Sequence, residues 1–126
     1  MDKRANIVGW FEIYVDDIDR AKTFYETVFQ IKEWNDLSNE QLKMFAFPWV
    51  ENAPFAAGAI VKADFAKAGV GGTIVYFNCI DCAEEESRVE LAGGVVTQSK
   101  FSIGEFGFVS MVIDTEGNTI GLHSKD

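Results

Sequence analysis

One pattern, a strand followed by a helix and three more strands, occurs twice along this chain of 126 residues. No other feature constrains the fold as much. Residues 7–15 alternate between faces with period two, which predicts a strand. Residues 18–29 follow with apolar side chains at helical spacing, which predicts an amphipathic helix with a buried stripe. Strand-like segments come next at 31–35, 42–47 and 57–62. The predicted stripe consists of Ile18, Ala21, Phe24, Tyr25 and Val28.

The pattern restarts after the glycine-bearing segment 67–72. Residues 73–80 predict a strand, and 82–92 predict a helix that ends at Gly93 and Gly94, where glycine permits a left-handed residue. Strands are expected at 95–98, about 106–113 and 118–123, the last two joined by a hairpin turn. With Asp16 and Asp81 taken as equivalent helix-start positions, the chain is predicted to be a single domain of two βαβββ modules, about 1–66 and 67–126.

Charge and hydropathy exclude several classes of partner. The formal net charge of −9 argues against a protein that follows nucleic-acid phosphates and against docking on an anionic membrane. The N-terminal residues contain neither the apolar run of a secretory signal nor a span of about 20 apolar residues. A cytoplasmic location is therefore expected, with no nucleic acid and no membrane among the partners.

Two cysteines, Cys79 and Cys82, have C-x-x-C spacing. A structural zinc site needs further Cys or His ligands, and His123 supplies at most one of them. A redox pair stays open as an alternative to two reduced, packed thiols, since Cys82 begins a predicted helix.

Three stretches resemble the glyoxalase/bleomycin-resistance/dioxygenase (vicinal oxygen chelate) superfamily. Residues 11–26 (FEIYVDDIDRAKTFYE) resemble its opening strand and helix, 91–96 (LAGGVV) its second helix exit, and 114–122 (DTEGNTIGL) its closing hairpin. The resemblance implies an α+β fold in which the two βαβββ modules form open barrel-like sheets around a cavity. It also implies a homodimer and a small organic ligand.

Metal-dependent members of that superfamily place a His or Gln early on each half's first strand and a Glu on each half's last strand. The matching positions here are Trp10, Val75, Ala59 and Gly121, none of which has a metal-binding side chain. The resemblance therefore implies that the usual metal site is missing, and we expect no metal and no other cofactor. Gly121 also fits a subgroup described as predicted proteins related to lactoylglutathione lyase.

The alternation along the strands predicts which residues face the cavity. On the first strand, the cavity side would be opposite Phe11, Ile13 and Val15, which would pack under the helix. The residues expected to line an aromatic-rich, ligand-binding cavity are Trp10, Glu12, Tyr14, Val75, Phe77, Cys79, Gly121 and His123.

Glu12 is the candidate catalytic residue. A carboxylate among aromatic rings would be partly desolvated and would gain basicity, as a general base requires. The alternative is a glutamate bonded to a neighbouring backbone group or to Tyr14. His123 could be a base or a lone metal ligand, but it lies near the C-terminus, where a frayed surface position is expected.

An aromatic series in the first half allows two interpretations: core or dimer packing, and a stacking surface for a flat ligand. The series comprises Trp34, Phe45, Phe47 and Trp49. Three functions stay open: a small-molecule-binding protein, a metal-independent lyase or isomerase acting on a small carbonyl compound with Glu12 as base, and a dimer module with no ligand. We favour small-molecule binding and leave enzymatic activity open.

Overall fold

The computed structural model of the protein describes residues 6–126. In this part of the chain, eight strands and two α-helices follow in the predicted order, with one short 3-10 turn at Gly104–Phe106. The elements are β1 (Val8–Tyr14), α1 (Ile18–Phe29), β2 (Asn35–Asp36), β3 (Leu42–Ala46), β4 (Ala57–Ala63), β5 (Thr73–Asn78), α2 (Cys82–Val89), β6 (Val95–Ser102), β7 (Phe108–Ile113) and β8 (Thr119–Ser124).

The chain divides into two compact units, and their strands are ordered alike. In the first half β1 pairs in parallel with β4, β4 antiparallel with β3, and β3 antiparallel with β2. In the second half β5 pairs in parallel with β8, β8 antiparallel with β7, and β7 antiparallel with β6. One unit is Trp10–Thr73, and the other joins Ile74–Asp126 to the N-terminal end of β1. The predicted α+β class and the βαβββ pattern are confirmed.

The segment 67–72 belongs to the first half. The Gly72 carbonyl accepts a hydrogen bond from the amide of Tyr14, the last residue of β1, at 2.6 Å. Asp16 also accepts a hydrogen bond from the Ala68 amide at 3.4 Å. The connector is therefore held against the end of the first strand.

Three elements differ in length by three or more residues from their predicted ranges. The helix expected at 82–92 ends at Val89, and turn residues follow it. The strand expected at 31–35 is only Asn35–Asp36, because Gln30 ends α1 in the left-handed region (φ 57°) and the chain turns there. The strand expected at 95–98 continues to Ser102, with two irregularities of register that hide its alternation in the sequence.

The stripe of α1 is less buried than its spacing predicts. Helix α1 contains no fully buried residue, and the Phe24 and Val28 side chains are 58% and 53% exposed. Tyr25 is half-buried, with its ring 5.4 Å from the ring of Phe47. The sheet therefore covers only part of the apolar face of this helix.

The positions that are equivalent in the two halves differ by one residue from the predicted equivalence. The side chains that cap the helices are Asp17, which accepts from the Arg20 amide, and Asp81, which accepts from the Ala83 amide, both at 3.0 Å. The expected equivalence of Asp16 and Asp81 is thus wrong by one position. Because side chains alternate along a strand, this shift exchanges the two faces of β5.

None of the helices within residues 6–126 is long and apolar enough to cross a membrane.

Candidate functional site

Three side chains on one face of β1 form a hydrogen-bonded row. Glu12 lies in the middle and is 7% exposed. Its Oε1 accepts a hydrogen bond from the Tyr14 hydroxyl at 2.8 Å, and its Oε2 accepts one from the Trp10 indole Nε1 at 3.2 Å. Alternation places these residues two apart on the same face, as predicted. The expected bond between Glu12 and Tyr14 is present, so the carboxylate is held in position by its own strand.

The neighbouring strand leaves room for this carboxylate. Glu12 is paired in register with Ala59 of β4, which is fully buried. A methyl group beside a glutamate occupies little of the face that the glutamate needs. Ala59, which lies beside Glu12, therefore occupies the position that matches a metal-binding Glu in metal-dependent members of the superfamily.

Two rings extend the row at both ends. Trp49, 40% exposed, meets Trp10 edge to face with centroids 6.2 Å apart. Phe65, 70% exposed, meets Tyr14 edge to face at 5.6 Å. We call this set the β1 aromatic row: Trp10, Glu12, Tyr14, Trp49 and Phe65. Sequence reasoning missed Phe65, because it follows β4 in a turn and has no periodic signal.

Most of the aromatic series of the first half packs on the other face of the sheet. The Phe47 ring lies 4.9 Å from Trp34 and 6.1 Å from Phe11. Trp34 donates its indole N–H to Glu26 of α1 at 2.8 Å, and Phe45 lies under the Lys22 ammonium at 4.1 Å. These residues hold the helix on the sheet, and of the series only Trp49 joins the β1 aromatic row.

The second half carries Tyr76 where the first carries Glu12. Tyr76 is paired in register with Gly121 of β8, as Glu12 is with Ala59. A Cβ built on Gly121 would lie 2.9 Å from Tyr76 Cγ and closer still to Cδ2 and Cε2. The tyrosine ring therefore fills the space of a side chain at this position. Sequence reasoning missed Tyr76 because of the one-residue phase error.

Phe77 and Cys79 lie on the α2 side of β5 and not on the face that the sequence predicts. Both pack against the buried cluster of Cys82, Val112 and Leu122, together with Val89 of α2. Val75 lies two residues before Phe77 on the same strand, so its side chain is on the same face. The prediction that these β5 residues share a face with Gly121 is therefore wrong, because Tyr76 occupies that face.

The cysteines are reduced and packed. Cys82 is fully buried at the start of α2, where its amide donates to the Ser124 hydroxyl at 3.0 Å. Burial, followed by the charge and hydrogen bond of Glu85, raises the pKa of the Cys79 thiol to about 12. A reactive thiol needs the opposite shift. This environment favours the packed interpretation over the redox one.

His123 is an ordered strand residue and not a frayed one. Its carbonyl accepts a hydrogen bond from the Cys79 amide at 2.7 Å, and its Nε2 lies 2.6 Å from the Phe106 carbonyl. A carbonyl oxygen only accepts, so this geometry places a proton on Nε2.

The residues present do not fit the metal that the superfamily implies. Trp10 offers only an N–H donor, which is directed at Glu12. Ala59 has no donor atom, and the space at Gly121 is taken by the Tyr76 ring. With the corrected phase, the first-strand position of the second half is Ile74, which is apolar like Val75. Within residues 6–126, no group of three His, Cys, Asp or Glu side chains could hold a metal ion.

A shallow groove of about 420 Å³ lies beside the start of α1, away from Glu12. Two of its polar side chains already have structural tasks, because Asp17 caps the helix and Asp16 accepts a hydrogen bond from the Ala68 amide of the connector. The groove is lined by Val15, Asp16, Asp17, Arg20, Ala21, Phe24, Tyr25 and Ala68.

Several solved structures share the fold of this chain. Residues 8–38 match the family described as bleomycin resistance protein-like N-terminal. A methylmalonyl-CoA epimerase from Mycobacterium tuberculosis is 12% identical with a TM-score of 0.68, over 95% of this chain and 88% of that one. The Streptomyces coelicolor methylmalonyl-CoA epimerase, in complex with 2-nitronate-propionyl-CoA, is 14% identical with a TM-score of 0.67, over 94% and 96%.

A third similar structure is an uncharacterized protein from Methanosarcina mazei, 14% identical with a TM-score of 0.59, over 97% of each chain. No curated protein matches the chain at significant similarity. The match over residues 8–38 and the shared fold support the resemblance to the glyoxalase/bleomycin-resistance/dioxygenase superfamily that the sequence motifs indicate.

Proposed function

We propose that this protein binds a small organic molecule at the β1 aromatic row and does so without the usual metal of its superfamily. The observation that carries the proposal is Glu12, a 7% exposed carboxylate held by two donors and flanked by partly exposed rings. Small-molecule sites typically combine aromatic walls with a few fixed polar groups. The ligand would stack on the rings and take its orientation from the Glu12 carboxylate.

A thermal-shift screen of small metabolites on the purified protein tests this proposal. A ligand present at about a hundred times its Kd stabilises the native state by about 2.7 kcal/mol, which a melting curve resolves. The hits should lose their effect in Trp49→Leu and keep it in Phe55→Leu. Phe55 is a matched control, because it lies in the same loop and is 91% exposed. Hits that stabilise both variants equally would place the ligand elsewhere.

A second function, a metal-independent isomerase or lyase, is favoured by one feature of the same row. The Glu12 carboxylate is fixed by the Tyr14 hydroxyl at 2.8 Å, which suits a base that takes up and returns a proton. Two structural neighbours are named as epimerases, and epimerisation requires such a step. Glu12 would remove the proton next to the carbonyl of a small substrate and then give a proton back.

Hydrogen exchange in deuterated water distinguishes an enzymatic function from a function in binding alone. A panel of small carbonyl compounds would be followed by NMR for deuterium uptake next to the carbonyl. An enzyme exchanges this hydrogen in the wild type and in the exposed control Glu40→Gln, but not in Glu12→Gln. Ligand binding without exchange would leave only the binding function.

The proposal retains the expectations of a cytoplasmic homodimer. Light scattering at high micromolar concentration should report twice the chain mass of 14.0 kDa. A species of the single chain mass would remove the dimer from the proposal without affecting the β1 aromatic row.

A further inference from the structure

We infer that the exposed side of α1 is the dimer interface, where it packs against α1 of a second copy of this chain in an antiparallel pair; this rests on the proposed function, which retains a homodimer. We call this surface the α1 apolar face. It consists of Ala21, Phe24, Tyr25, Val28 and Phe29.

The rings of the α1 apolar face form one continuous surface. The Phe24 ring meets the Tyr25 ring edge to face with centroids 5.1 Å apart, and the Phe29 ring stacks on Tyr25 at 6.2 Å. Phe24, Val28 and Phe29 are 58%, 53% and 63% exposed. Single apolar residues are common at protein surfaces, whereas a continuous apolar patch typically marks a site of interaction with another protein.

The face has a concave part and a protruding part at opposite ends of the helix. The groove of about 420 Å³ lies beside the start of α1 and includes Ala21 and Phe24 in its lining. A cavity of about 150 Å³ already holds benzene, so a phenyl ring fits in this groove. Val28 and Phe29 are exposed at the other end of the helix. A two-fold axis beside Phe24 would place the end of each helix against the groove of the other, which is the self-complementarity that an isologous interface requires.

The charges at the helix ends suit this antiparallel arrangement. The positive N-terminal end of each helix dipole would lie beside the negative C-terminal end of the other. Arg20 also lines the groove, and its guanidinium would meet the Phe29 ring of the second copy in a cation–π contact. A second copy therefore offers both shape and charge that match the face.

The area of the face agrees with a dimer of modest size. An aromatic side chain buries about 150–250 Å², so the exposed parts of Phe24 and Phe29 supply roughly 200–300 Å². With Val28 and its neighbours, the apolar surface reaches about 300–400 Å² per copy. Because interfaces are about 56–65% apolar, this corresponds to a total of roughly 1,000–1,300 Å² over both copies. Specific interfaces begin at about 1,000 Å², so we expect a dimer that dissociates on dilution.

Sedimentation velocity of the full chain over a series of concentrations measures this dimer. Phe24→Asp and Val28→Asp should each weaken it by at least about tenfold, because a carboxylate would be buried in the apolar centre of the interface. The matched control Phe55→Asp replaces an even more exposed ring outside the face and should leave the dimer unchanged. All three replaced side chains are more than half exposed, so melting curves should show that the variants stay folded.

Cross-linking tests the geometry of the pair independently of its strength. With the two-fold axis beside Phe24, the variant Phe24→Cys brings two new thiols together, and diamide should join the two copies through a disulfide. Phe55→Cys should not cross-link, and the native Cys79 and Cys82 are present in both variants.

Two results would overturn the inference in different ways. Retention of the dimer by both folded aspartate variants would exclude this interface and keep the homodimer. A wild-type chain that is monomeric at every concentration would remove the interface together with the homodimer. The metabolite screen at the β1 aromatic row decides the ligand-binding function separately from both results.

Discussion

Replacing Gly121 by alanine tests the packing that closes the superfamily's metal position. The added Cβ would lie 2.9 Å from Tyr76 Cγ and nearer to two further ring atoms. Carbon atoms in contact are about 3.5–4.0 Å apart, so the nearest ring atom must retreat by more than about 1 Å. Rotation of the ring about its own axis does not move Cγ. The strand or the χ1 angle of Tyr76 must change instead.

Overpacking of this kind costs about 1–3 kcal/mol, and the lower entropy of the unfolded alanine chain returns about 0.4–1 kcal/mol. Because Tyr76 is only 9% exposed and both strands are paired, we expect a net loss of about 1–2 kcal/mol. For a chain of this size, such a loss lowers Tm by roughly 4–8 °C. Urea unfolding followed by circular dichroism measures it.

A double-mutant cycle identifies the cause. In a Tyr76→Ala background the ring is absent, so Gly121→Ala should cost nothing or stabilise slightly. The coupling between the two sites should then be about 2 kcal/mol. An equal cost of Gly121→Ala in both backgrounds would refute the assignment of this space to the Tyr76 ring.

Further predictions concern a glycine contact, a strained loop residue and a thiol. Gly58→Ala places a Cβ 2.5 Å from the Phe11 ring, so urea unfolding should show a free energy of unfolding that is lower by about 1–3 kcal/mol. In a Phe11→Leu background, the same substitution should cost less. Phe55 has φ 75°, so Phe55→Gly should stabilise by about 0.5–1 kcal/mol, whereas the exposed control Val50→Gly should destabilise. Because the pKa of Cys79 is raised to about 12, the folded state retains its proton longer than the unfolded one. Stability should therefore fall as pH rises from about 9 to 12, and Cys79→Ala should reduce that slope in pH-dependent melting. A steeper slope in Cys79→Ala would contradict the shift.

The order of the elements was predictable from the sequence, whereas the phase of the second half was not. In β1, the charged Glu12 distinguishes the face of Trp10 and Tyr14 from the apolar face of the strand. Residues 73–80 are apolar at nearly every position, so periodicity leaves their faces undefined. The phase then depended on choosing between two adjacent aspartates, and the capping geometry selects Asp17. Tyr76 could be found only from that geometry.

Local sequence patterns also did not predict how far side chains are buried or which residues distant in the sequence are in contact. The helical spacing of Phe24 and Val28 gives a stripe, but spacing does not state how much of the stripe the sheet covers. The contacts of Trp49 with Trp10 and of Phe65 with Tyr14 join loops to β1 across sequence separations that no local pattern encodes. Residues of the regular elements were therefore predicted better than those of the loops.

The last prediction concerns metal, because it separates this protein from the metal-dependent members of the superfamily that it resembles. A transition-metal site needs three or four converging donors. The first-strand Trp10 directs its N–H to Glu12, Ala59 has no donor, and Tyr76 fills the space beside Gly121. We expect elemental analysis of the purified protein to find well below one transition metal per chain, and a chelator to leave Tm unchanged. Gly121→Glu should lower stability and gain no metal, because the Tyr76 ring opposes the new side chain. About one metal ion per chain in the wild type, removed by a chelator with a loss of Tm, would show that other side chains assemble a site.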